Sequence, residues 1–118
     1  MLTMTDRPDL RKPQTLHEAI GIIRAEVPEF DLKAWANGEM FEAVMDEHFG
    51  LGVWIRHQWV YGSPAILVQR IREGLIYCPD DDLSSIILEG IWRILNGEDE
   101  LTAELLTRER TRRYSDPQ

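Results

Sequence analysis

The sequence predicts an all-α fold, a compact single-domain bundle of five to seven short helices. Three observations predict it. Apolar residues recur at spacings of three and four, most clearly at Leu83, Ile86, Ile87, Gly90, Ile91, Ile94 and Leu95, which aligns them on one helical face. Helix start and stop signals punctuate the chain from Thr15 to Gly97. A length of 118 residues with 43% hydrophobic content suits one core that needs no metal or disulfide staple.

Residues 1–14 set Pro8 and Pro13 among polar groups and read as a disordered tail. Thr15-Leu16-His17-Glu18 is a capping box that opens a first helix. Leu16, Ala19, Ile20 and Ile23 share its inner face, and Pro28 closes it. Asp31 is placed as the cap of a short second helix with Leu32 and Trp35, ended by Asn37-Gly38. A third helix starts near Glu39, with Met40, Phe41, Val44, Met45 and His48 in its repeat. Gly50 and Gly52 then stop or bend the chain. Leu51 to Trp59 is short and apolar, so a strand stays open there, although helical neighbours favour helix.

Ser63 is the expected N-cap of the next helix, with Pro64 in its first turn and Gly74 at its stop. Leu75-Ile76-Tyr77 is expected to run extended into Pro79. Asp80, Asp81 and Asp82 place negative charge where a helix dipole favours it, ahead of a helix over about 82–95. Asn96-Gly97 ends that helix. A last one from about Asp99 carries Leu101, Leu105 and Leu106. The helical domain thus spans 15–113, with 114–118 a disordered C-terminus.

Net charge is −8, from 21 acids and 13 bases. Arg108, Arg110, Arg112 and Arg113 crowd the end, so the preceding body is more acidic still. Such a body repels phosphate backbones, which disfavours nucleic acid as a partner. The arginine-rich end has a simpler role as cations in the last turns of a helix. The first residues lack the apolar run of a secretion signal or membrane span, and Cys78 has no disulfide partner, so a cytoplasmic protein is expected.

No cofactor fingerprint and no zinc spacing occurs. His48 and His57 are nine residues apart, half a turn out of phase on a continuous helix. Neither a metal nor a cofactor is therefore expected. A metal-dependent hydrolase built from His48, His57, Glu47 and Asp46 around the glycine bend is kept as an alternative. Cys78 lacks a sequence-local base and reads as inert. Ser84 and Ser85 lack a nucleophile-elbow context.

The block from Phe49 to Trp59 is the densest in recognition residues. Tryptophan and arginine dominate binding hot spots, so Arg56, His57, Trp59 and Tyr61 are candidates for a partner surface, joined by Asp80, Asp81 and Asp82. Trp54 and Trp92 read as core, and Trp59 is balanced between core and surface. A surface Trp59 would tolerate alanine with little change in melting temperature.

The blocks His48-Phe-Gly-Leu-Gly-Val-Trp-Ile-Arg-His-Gln-Trp59, Pro79-Asp80-Asp81 with Ser84 and Ile87, and Trp92-Arg93-Ile-Leu-Asn-Gly97 resemble a family of small bacterial proteins of unknown function. The likeness covers about Thr15 to Gly97. Asp82, which lengthens the acidic run, and the arginine-rich extension depart from the pattern. The resemblance implies a bacterial, intracellular protein and brings no catalytic residue or cofactor. The combined reading is a non-enzymatic protein-binding domain, of the immunity or antitoxin kind, that docks a basic partner. An oligomeric structural subunit using the helix from Asp99 to Arg113 is a further alternative.

Overall fold

A computed structural model describes residues 2–4, 11–73 and 78–115. Every regular element among them is helical, as the sequence predicts. Gly74 and the extended segment expected over Leu75-Ile76-Tyr77 lie outside the described residues.

Helix α1 (Leu16–Arg24) starts as its capping signal requires. Thr15 Oγ1 accepts from the Glu18 N–H at 3.1 Å, and Leu16, Ala19, Ile20, Ile22 and Ile23 are buried. Helix α2 (Glu29–Ala36) begins earlier than the Asp31 cap placed it. Pro28, at φ −57° and ψ 139°, occupies the N-cap, because its ring fixes φ and it lacks the N–H that a first turn leaves unpaired. Leu32 and Trp35 point inward, and Trp35 Nε1 donates to the Ala43 carbonyl at 2.7 Å. That bond ties α2 to helix α3 (Met40–Asp46).

Glu39 caps α3 through its carboxylate, which accepts from the Phe41 and Glu42 N–H groups at 3.0 and 2.9 Å. Within α3 only Ala43 and Val44 are buried. After a turn at residues 47–50 comes helix α4 (Leu51–Ile55), which continues into a π-helical turn over Arg56–Val60. The wide turn closes with the Tyr61 N–H on the Arg56 carbonyl, 2.9 Å away. This segment is helix, which removes the strand alternative. Gly52 is needed at its start: its N–H donates to the Glu47 carbonyl at 2.7 Å, and a Cβ would stand 2.9 Å from that same oxygen.

Helix α5 (Ile66–Arg72) is capped at Ala65, two residues beyond Ser63. Ala65 is extended, and its N–H donates to the Trp59 carbonyl at 2.8 Å, so the chain stays open through Pro64. The Ser63 carbonyl instead accepts from Lys12. Helix α6 (Asp80–Leu95) follows Pro79, with all three aspartates in its first turn. Helix α7 (Glu100–Ser115) follows Gly97, whose φ of +98° only glycine adopts readily, and runs two residues past the expected boundary at Arg113.

Helix α6 is the spine. Helices α1, α2, α3, α4, α7 and the π turn all pack against it. Gly90 makes two of those approaches close: a Cβ there would meet Thr107 Oγ1 at 2.8 Å and Leu16 Cδ1 at 3.1 Å. Helix α7 lies on that spot through Ala103 and Thr107, both buried. Ion pairs hold its flanks, Arg70 with Glu104, Arg110 with Glu89 at 3.5 Å and Arg108 with Glu73 at 3.8 Å. Leu101, Leu105 and Leu106, the large apolar residues of this helix, face solvent.

The described parts of residues 1–14 are seated on the domain. Leu2 is buried, and its N–H donates to Glu47 Oε2 at 2.9 Å. Pro13 is also buried, and its carbonyl accepts from the Leu67 N–H at 3.2 Å.

Candidate functional site

The residues proposed from sequence divide sharply on burial. Trp59 is 0% exposed and stacks edge-on against Trp54 at 5.2 Å between ring centroids. This corrects the surface alternative for Trp59. Leu51, Ile55 and Trp59 recur every fourth residue and all point into the core. Its Nε1 is buried and finds no acceptor among the described residues.

Arg56 is buried as well, which takes its guanidinium away from any partner. Nη1 donates to Ser84 Oγ at 2.8 Å, Nη2 to the His48 carbonyl at 3.3 Å, and Nε lies 3.4 Å from Asp81 Oδ1. Ser84 Oγ in turn donates to the Asp81 carbonyl at 2.8 Å. A buried cation is stable when it is paired and hydrogen-bonded, and here each guanidinium nitrogen has a partner, which locks the π turn onto the start of α6. Asp80 pairs with Arg72 at 2.6 Å. Asp80 and Asp81 thus pair within the chain while keeping access to solvent, and Asp82 is half-buried on a groove rim. His57 and Tyr61 are exposed, with their rings edge-to-face at 5.3 Å.

The hydrolase set does not converge. Glu47 is buried, and its carboxylate accepts from the backbone N–H groups of Leu2 and Leu51. The His48 ring packs on Phe49 at 4.7 Å, and the His57 ring on Tyr61. Among the described residues no three His, Cys, Asp or Glu side chains group as metal ligands would. Cys78 is buried, and its thiol is pushed up from 9.0 to about 11, first by burial and then by the charge of Asp82. The sign follows: the protonated thiol suits the folded state, and stability is lost as pH rises from 9.0 through about 11. At pH 8 the thiol should react with a disulfide reagent about a hundredfold more slowly than a free cysteine. A stopped-flow assay on native against denatured protein checks this.

The surface feature missed by the sequence reading lies on α3. Phe41 is 64% exposed, Met45 52% and Phe49 83%. They stand four residues apart along the helix and the turn after it. Beside them runs a groove of about 240 Å³ between α3 and α6, lined by Met40, Val44 and Ile86, with Asp82, Glu89 and Arg110 at its rim. Glu39, Glu42 and Asp46 are exposed on the same helix. The available signal was excess: α3 carries more large apolar side chains than one helix face can bury.

No helix among the described residues is long and apolar enough to cross a membrane. The comparisons with curated proteins and with solved structures return no match. Residues 12–95 match the family described as Domain of unknown function (DUF6794), and the chain belongs to that family.

Proposed function

We propose that this member of the DUF6794 family is a non-enzymatic docking domain, and that its working surface is α3 with the groove beside it. The observation that carries the reading is the exposed series Phe41, Met45 and Phe49. Phe41 and Met45, one turn apart on α3 beside a charged rim, with Phe49 exposed in the turn that follows, are characteristic of an interaction site. A helical spacing of four and an adjoining groove suit an amphipathic helix laid along α3. Glu39, Glu42, Asp46 and Asp82, on a chain of net charge −8, select a basic partner and speed its approach. A cytoplasmic protein of the immunity or antitoxin kind, which masks a basic partner by binding it, fits this chemistry.

The test uses a designed amphipathic helical peptide of lysine and leucine, with a glutamate and leucine peptide as control. The lysine peptide should bind, and added salt should weaken it. Phe41→Asp combined with Met45→Asp should reduce its affinity about tenfold or more. Because both side chains already face solvent, the melting temperature should stay close to that of the parent protein. Equal binding of both peptides, or binding indifferent to the two substitutions, would overturn the reading.

A further inference from the structure

A second exposed apolar face lies on α7, and its charge pattern says what covers it. Leu101 is 66% exposed and Leu105 55%, with Leu106 beside them. Leu101 and Leu105 project away from Ala103 and Thr107, the residues by which α7 holds the body, and Leu106 lies at the side of that face. The first eight residues of α7 carry two carboxylates, Glu100 and Glu104, and no base. The last eight carry four arginines, at 108, 110, 112 and 113, and one acid, Glu109. Glu98 and Asp99 extend the acidic half.

We infer that α7 is a self-association surface on which two copies of this chain pair antiparallel. A two-fold axis near Leu105 brings the leucines of both copies together. The same axis sets the acidic half of each helix against the basic half of the other. An interface of this kind must be self-complementary, and a helix that is acidic at one end and basic at the other meets that condition only when antiparallel. A parallel pair would stack arginines on arginines. An anionic membrane suits the face less well, because the body behind it is strongly acidic.

Within the chain Glu100 meets His17 and Glu104 meets Arg70, whereas Arg112 is held loosely. Among the described residues Arg112 reaches Glu109, three residues away on its own helix, at 3.7 Å, and both are largely exposed. Such pairs are weak and easily replaced. Thr107 keeps its seat over Gly90 and Ala103 stays buried, so pairing needs no rearrangement of the domain.

Sedimentation equilibrium on the full chain, from micromolar to near-millimolar concentration, is the test. A monomer–dimer equilibrium is expected. Leu105→Asp should leave the protein monomeric throughout, and Arg112→Glu should raise the dimer dissociation constant about tenfold. Added salt should weaken the dimer of the parent chain. Circular dichroism should show both variants folded, since neither residue is part of the core. A parent chain that stays monomeric overturns the inference. So does a dimer insensitive to Leu105→Asp, or binding to anionic vesicles without self-association.

Discussion

Trp59→Ala should destabilise the domain by about 3–5 kcal/mol, the range for emptying a large aromatic site in a packed core. Trp59 is fully enclosed, rests on Trp54, and belongs to the buried series Leu51, Ile55 and Trp59. Its carbonyl also holds the Ala65 N–H that leads into α5. A domain of this size has a total stability on the order of 5–15 kcal/mol, so the loss is a large share of it. The melting temperature should fall by more than about 10 °C. Trp59→Phe separates shape from polarity. It retains an aromatic ring and deletes an indole N–H that is buried without an acceptor among the described residues. Calorimetry should show Trp59→Phe costing much less than Trp59→Ala. Equal and small losses would return Trp59 to the surface.

Gly90→Leu should cost about 3 kcal/mol, at the upper end of what overpacking typically costs. A single added carbon already stands 2.8 Å from Thr107 Oγ1 and 3.1 Å from Leu16. Thr107 has little room to yield, because its hydroxyl donates to the Ala103 carbonyl at 2.7 Å. A leucine would push α1 and α7 away from α6 together. Gly90→Ala is the milder probe. It gains about 1 kcal/mol of helix propensity and meets the same oxygen. Combining it with Thr107→Ala should recover stability in a double-mutant cycle. Independent, additive effects would show that the two helices are not in contact at this point.

Much of the fold was legible because local chemistry decided it. Thr15 caps α1 from the position its sequence announces, and the acidic run opens α6. Helix starts at Pro28 and Ala65 were less legible. A proline N-cap offers no side-chain bond to anticipate, and Ser63 uses its carbonyl for Lys12 instead. The larger misreading concerned which apolar residues face inward. On α7 the leucines repeat at a helical spacing, yet Ala103 and Thr107 are the buried residues, and Thr107 lies beside Leu16 against Gly90. On α3, Phe41 and Met45 belong to the apolar repeat but are exposed, while Ala43 and Val44 do the packing. The Trp59 block misled in the opposite sense. Its tryptophan and arginine suggested recognition, whereas the spacing of 51, 55 and 59 already indicated burial. The exposed apolar face of α3 carries no motif, and its one signal in the sequence is that α3 holds more large apolar side chains than one helix face can bury.

The π turn at Arg56–Val60 carries a consequence for how the chain tolerates changes in length. A wide turn holds about one residue more than an α-helical turn. Deleting His57 or Gln58, neither of which is buried, would let the turn tighten to α geometry while Trp59 and Val60 keep their places. The same deletion inside α6 would have no slack to draw on. It would swing every later side chain by about 100° around the axis and carry Gly90 out from under its two neighbours. Homologous chains that differ by one residue should therefore place the gap at residues 56–60 and leave α6 constant in length.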